Sequence, residues 1–183
     1  GKQIQTVVGS GAAWELSVDY SFDGNTLLGT GGALYKALPL LGETFFVLYG
    51  DSFLPCDFSV IAADFLAQSK PALMTLLENH NVWDKSNVLY REGVILEYNK
   101  AHPRPDMTFI DYGLGLLSSS VFNRAVKDQA LDLAALYHQL SLEGKLAGKV
   151  IQERFYEIGS QKGLVEAEDY FLKKDESCMH NNI

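Results

Sequence analysis

Apolar residues run unbroken from Phe45 to Tyr49 and stop at Gly50-Asp51-Ser52. A short apolar run bounded by turn residues predicts a strand buried on both faces, the kind found in parallel sheets between helices. Asp51 then stands at the strand's carboxyl end, where ligands gather in open α/β sheets. The other reading of Asp51 is a turn residue capping the next helix. Before this strand, residues 14–20 alternate apolar and polar, which predicts a strand with one buried face, and 33–38 carry helical spacing closed by Pro39 and Gly42. After it, Asp57 is placed to cap a helix whose Phe58, Ile61, Ala62, Phe65 and Leu66 share a face. Residues 71–77 read as a strand, and 87–91 and 94–98 as a hairpin about Glu92-Gly93. A long apolar run, 107–117, is broken by Gly113 and Gly115; 131–142 is an amphipathic helix, 155–160 a short strand entering a turn, 164–172 a closing helix and 179–183 a frayed end. Strands alternating with helices predict an α/β domain with a mostly parallel sheet, made mixed by the hairpin.

Composition narrows the partners. At 183 residues the chain is long enough for one domain, and 47% hydrophobic with 21% charged residues is ordinary for a globular protein. A net charge of −8 argues against a nucleic-acid partner and leaves room for a small phosphorylated ligand that needs only local cations. Cys56 and Cys178 make no disulfide framework, and no apolar run reaches membrane-spanning length, so a cytoplasmic protein with no membrane partner is expected. The four histidines, 80, 102, 138 and 180, lack metal-ligand spacing.

Leu28-Gly29-Thr30-Gly31-Gly32 opens a helix. Glycines in such a loop expose backbone N–H groups and admit a base or a phosphate; the bland alternative is a tight turn. The spacing is neither a Walker loop nor the dinucleotide fingerprint. With Ala37-Leu38-Pro39-Leu40 and the run Phe45 to Ser52 after it, however, the combination resembles the sugar-phosphate nucleotidylyltransferases, the nucleotide-sugar pyrophosphorylases. Asn79 through Val88, Phe109-Ile-Asp-Tyr-Gly-Leu114 and Phe155-Tyr-Glu-Ile-Gly-Ser-Gln-Lys-Gly-Leu164 extend the resemblance over nearly the whole chain. Their wording is closest to the branch acting on D-glycero-D-manno-heptose 1-phosphate.

The resemblance implies a Rossmann-like nucleotide-diphospho-sugar transferase fold and a single domain over 1–183. It implies transfer of a nucleoside monophosphate from a nucleoside triphosphate to a sugar 1-phosphate, with guanosine and heptose or mannose favoured. Asp51 and Glu157 would be the catalytic pair holding Mg²⁺, with Glu157 a longer variant of the more usual aspartate. Gly31 and Gly32 would lie against the base, with Leu28, Gly29 and Thr30 shaping its pocket. Tyr112, Gly113 and Asn87 would face the sugar and Lys100 its phosphate, although Asn99 replaces the glutamate that ordinarily precedes that lysine. Simpler roles are core packing for Tyr112, solvation for Lys100, and an ion pair with Arg154 for Glu157.

The family's first strand, its Arg-bearing glycine-rich loop and its Lys-Pro segment have no match here. These residues alone are therefore expected not to catalyse transfer, and to be N-terminally incomplete. The alternative function is a non-catalytic relative keeping only the base and sugar pockets or the fold. An open edge beside 45–49 is expected either to associate, as a homodimer or with the missing segment, or to be covered by Gln3 to Val8 as a short strand.

Overall fold

The computed structural model describes residues 1–123, 125 and 129–180. Its centre is β3 (Ala72–Glu78), hydrogen-bonded on one side to β6 (Phe109–Ser118) and on the other, in parallel, to β7 (Leu146–Ile151). The main sheet runs β5-β4-β6-β3-β7, with β4 (Val88–Arg91) and β5 (Val94–Tyr98) forming the expected hairpin. Six of β3's seven residues are buried because both faces are covered. Ala72, Met74 and Leu76 join a core with Leu133, Tyr137 and Leu140 of α4 (Leu133–Leu142). Leu73 and Leu77 join a second core with Ile61 and Phe65 of α3 (Phe58–Leu66). The α/β layering thus follows from a period-two strand meeting helices on each side. Asp57 caps α3 as expected, accepting from Ser59 N at 2.8 Å and Val60 N at 3.3 Å.

Parallel pairing is confined to β3–β7 among the described strands, and β7 itself was not among the strands read from the sequence. The apolar run at 45–49 also takes a different place. β1 (Thr44–Leu48) is not a doubly buried parallel strand; it lies antiparallel to β6, with Phe45 buried, Phe46 and Val47 half-buried and Leu48 exposed. An apolar run signals burial somewhere, but its place in the sheet is set by which edges find partners.

Two N-terminal expectations are corrected. Residues 2–8 form a helix, α1 (Lys2–Val8), closed at Gly9, rather than a strand covering β1; Ile4 and Val7 point to solvent. Residues 14–20 include the end of a 3-10 turn (Ala12–Trp14) and then a stretch that joins no ladder. Their bonds are local ones, Val18 N to Ser10 O and Tyr20 Oη to Gly9 O. Alternation favours extended chain, but a strand exists only with a neighbour to pair with. The closing helix is longer than expected, α5 (Gln161–His180); of the end expected to fray, 179–183, residues 179 and 180 belong to this helix and 181–183 lie outside the described residues. No helix among the described residues is long and apolar enough to cross a membrane.

Two irregularities position the site. Between Met74↔Gly115 and Leu76↔Asp111 the β3–β6 register shifts, so β6 spends two extra residues on a bulge. The Thr75 hydroxyl donates to Leu114 O at 2.6 Å, filling the gap in the ladder, and Gly113 takes φ +94, a conformation other residues rarely adopt. Separately, β2 (Ser52–Phe53) and β8 (Tyr156–Glu157) form a two-stranded sheet of their own, pairing Ser52 with Glu157.

Candidate active site

The small β2–β8 ladder brings two acids together. Ser52 faces Glu157, and Ile158 N donates to Asp51 O at 2.9 Å, so Asp51 and Glu157 sit on neighbouring strand ends. Both side chains are exposed. A Cβ on Gly159 would stand 3.2 Å from Asp51 Oδ2, so the bare glycine keeps that carboxylate uncrowded. Arg154, the alternative partner for Glu157, pairs instead with Glu166 at 2.6 Å.

Glu157 opens onto a cavity of about 280 Å³ that Asn87, Lys100, Asp111, Tyr112, Gly113, Arg154 and Lys162 also line. The four residues expected near a sugar phosphate, Asn87, Lys100, Tyr112 and Gly113, are therefore gathered beside Glu157. Asn87 Oδ1 accepts from Asp111 N at 3.0 Å, and its NH₂ has no acceptor among the described residues. Lys100 has no ion pair among them. Tyr112 is only 1% exposed, packs edge-on to Phe155, and its hydroxyl has no partner among the described residues. Its ring is core even though the residue lines the cavity. Gly113 is fixed by its backbone conformation more than by space, since a Cβ there would make ordinary 3.9 Å contacts.

Asp111 is the site residue that sequence reasoning missed. Its neighbours in Phe109 to Leu114 drew notice; the aspartate did not, because only the bulge turns it to the cavity. Its Oδ1 accepts from Gly113 N at 2.9 Å. Burial pushes its carboxyl up to about 6, against opposing pulls from the Gly113 N–H and Lys100. Tyr49, beside it, is pushed to about 12 by burial, with Asp111, Asp132 and Asp51 adding to the shift, and so remains a protonated donor at neutral pH. A carboxyl raised in the folded state binds its proton more tightly there, so the stability it contributes is full below about pH 4 and is lost as pH rises through about 6. Asp111→Asn, neutral throughout, is expected to melt progressively higher relative to wild type between pH 4 and 6.5. Thermal melts across that range check it, and a flat difference would contradict the desolvation.

The glycine loop is corrected in one respect. Gly31 N and Gly32 N are not open donors; both bond Leu131 O, at 2.9 and 3.0 Å. These amides open α2 (Gly29–Ala37), and the Leu131 carbonyl satisfies what the first helical turn leaves unpaired. Cβ atoms at 29 and 31 would lie 2.6 Å from Leu131 O and 2.8 Å from Leu131 Cγ. Thr30 Oγ1 donates to Asp132 Oδ1 at 3.2 Å and accepts from Leu133 N at 3.0 Å. Leu28 and Gly32 line a different, largely apolar cavity of about 600 Å³ with Tyr35, Leu38, Pro39 and Leu41. The five nucleotide candidates are thus held together but apart from the sugar-side group.

No family model matches the chain. In sequence it is 27% identical over 173 residues to the N-acetylmuramate alpha-1-phosphate uridylyltransferase of Neisseria meningitidis serogroup B, covering 92% of this chain and 73% of that one. The chain is thus similar in sequence to a sugar-phosphate nucleotidyltransferase. Solved structures show the same fold. A protein described as a glucose-1-phosphate thymidylyltransferase of Bacillus anthracis superposes with TM-score 0.78 at 18% identity, over 92% of this chain and 71% of that one. HddC of Yersinia pseudotuberculosis superposes with TM-score 0.72 at 19% identity, over 93% and 74%. The nucleotidyltransferase resemblance drawn from the motifs is thereby borne out, together with its α/β fold.

Proposed function

We propose that the chain is a single nucleotidyltransferase domain that joins a nucleoside monophosphate, taken from a nucleoside triphosphate, to a sugar 1-phosphate and releases pyrophosphate. The observation that supports this most is the convergence of Glu157, Asn87, Lys100 and Gly113 on one cavity, with Asp51 on the adjoining strand end. The chemistry needs no protein nucleophile. It needs the sugar-phosphate oxygen held in line with the α-phosphorus, and charge offset as the pyrophosphate leaves. Asn87 and Asp111 would orient the sugar hydroxyls, and Lys100 would hold the phosphate.

Asp51 and Glu157 are the residues that would hold Mg²⁺. The uncrowded Asp51 oxygen and a second carboxylate across the ladder suit an ion that takes one or two carboxylates beside substrate phosphates. Among the described residues no three acidic, His or Cys side chains converge, so those substrate oxygens would complete the shell. The ion would supply Lewis-acid polarisation of the phosphates. Guanosine with a heptose or mannose phosphate remains our preferred pair, on the wording of 110–114 and 155–160.

Binding and turnover are tested together. Titration with hexose and heptose 1-phosphates in Mg²⁺ is expected to show saturable binding that Lys100→Ala weakens about tenfold, the effect of losing one charge-assisted hydrogen bond. Mixtures with GTP, UTP, dTTP or CTP are examined by mass spectrometry for a nucleotide-sugar. Binding without product would favour the non-catalytic alternative, and neither binding nor product would overturn the placement.

A further inference from the structure

Four side chains at the edge of the Glu157 cavity form a unit the reading above does not use. Trp83 rides on a loop fixed from beneath by buried Asn79 and Ser86. Asn79 Nδ2 donates to Asp84 O at 2.7 Å and to Ser86 Oγ at 3.0 Å, and its Oδ1 accepts from Trp83 N at 3.1 Å. Ser86 N donates to Asn81 Oδ1 at 2.8 Å. The Arg154 guanidinium carbon lies 3.6 Å from the centre of the Trp83 ring system and 4.6 Å from that of Tyr156. Its Nη2 donates to Glu166 at 2.6 Å and its Nε to Phe155 O at 3.2 Å. Nη1 has no acceptor among the described residues. Lys162 borders the same cavity, its Nζ 3.7 Å from Glu166.

A guanidinium stacked on aromatic rings and anchored along one edge is a planar donor whose ordering cost is met before any ligand arrives. The ion pair with Glu166 leaves Nη1 for a second anion without being broken. Arg154, Lys162 and Lys100 line one cavity together with the carboxylates of Asp84, Asp111, Glu157 and Glu166.

We infer that Arg154, held by Trp83, Tyr156 and Glu166, binds the phosphate of the phosphorylated ligand that enters this cavity, with Lys162 as a second cation. That the ligand is a sugar 1-phosphate rests on the proposed function; the anion site follows from the donor arrangement alone. Arg154 acts by binding and positioning a phosphate monoester, and Trp83 reports its state.

The chain has two tryptophans, so Trp14→Phe leaves Trp83 as the reporter. In that background, inorganic phosphate and glucose 1-phosphate are titrated at constant ionic strength, with glucose as the neutral control. Both phosphates are expected to change Trp83 emission saturably and glucose is not. Arg154→Lys, which keeps the charge but loses the planar fork, is expected to weaken binding about tenfold with an unchanged far-UV spectrum. No saturable response in the Trp14→Phe protein overturns the inference by itself, whatever the Arg154 variant does. So does an unchanged Kd in folded Arg154→Lys. Phosphate binding through Arg154 in a protein that makes no nucleotide-sugar leaves the anion site standing and the activity reading fallen. Nucleotide-sugar formation whose KM for sugar phosphate ignores Arg154→Lys does the reverse.

Discussion

Asp51→Asn is expected to lower nucleotidyl transfer by roughly a thousandfold, several kcal/mol of lost charge stabilisation on the phosphates, while moving the thermal midpoint little. The two halves of that expectation have separate causes. Asp51 is exposed, and its structural tie to β8 runs through its backbone, Asp51 O accepting from Ile158 N at 2.9 Å. Replacing the carboxylate with an amide leaves that bond and the β2–β8 pairing intact. What it removes is a negative oxygen beside Glu157, where the proposed reaction needs a cation held. Steady-state kinetics, with a thermal melt of the same preparation, decides it. Activity within tenfold of wild type would mean the acid at the end of β1 is a turn residue, the alternative open from the sequence.

Gly163→Ala should damage both stability and turnover. Gly163 is buried in the first turn of α5, and a Cβ there would lie 2.1 Å from Glu157 O and 3.2 Å from Glu157 C. The obstacle is backbone, so no rotamer relieves it; α5 must retreat or β8 must shift. Overpacking of this kind costs about 1–3 kcal/mol, and for a chain of this size that lowers the melting point by roughly 2–10 °C. The residue displaced is Glu157, and a misplacement near 1 Å at a reacting centre costs on the order of a hundredfold in rate. Gly50→Ala is the matched control, since a Cβ at 50 meets nothing within 4 Å. A Gly163→Ala protein melting within about 2 °C of wild type and turning over normally would show that the helix start yields freely.

The elements with dense local signals were legible. Val88–Arg91 and Val94–Tyr98 were readable as a hairpin because Glu92-Gly93, both at positive φ, form the turn, and turn chemistry is a property of a few adjacent residues. The cap at Asp57 was readable for the same reason. β7 was not, because Leu146–Ile151 is interrupted by Gly148 and Lys149 and acquires its identity from pairing with β3. At the other extreme, residues 14–20 had the right alternation and no strand to pair with, so they join no sheet.

The candidate site divides the same way. The motif residues Asp51, Glu157, Asn87, Lys100, Tyr112 and Gly113 were identifiable from sequence because each lies in a run whose wording resembles a known family. Asp111 and Trp83 lie in such runs as well, and Arg154 directly before one, but nothing local marked their roles, since each depends on a distant segment. Asp111 reaches the cavity only through a bulge opposite Thr75, and Arg154 is stacked by a residue 71 positions earlier and paired with one on α5. The glycine loop shows the limit most plainly. The sequence alone determined that 28–32 turns tightly into a helix; only the tertiary structure decided that the amides of Gly31 and Gly32 are spent on Leu131, a hundred residues away. Local covalent and steric preferences are written in neighbouring residues and survive in any context. Which edge is paired, which donor is satisfied and which acid is desolvated depend on what long-range contact places beside them, and that is set only when the whole chain closes on itself.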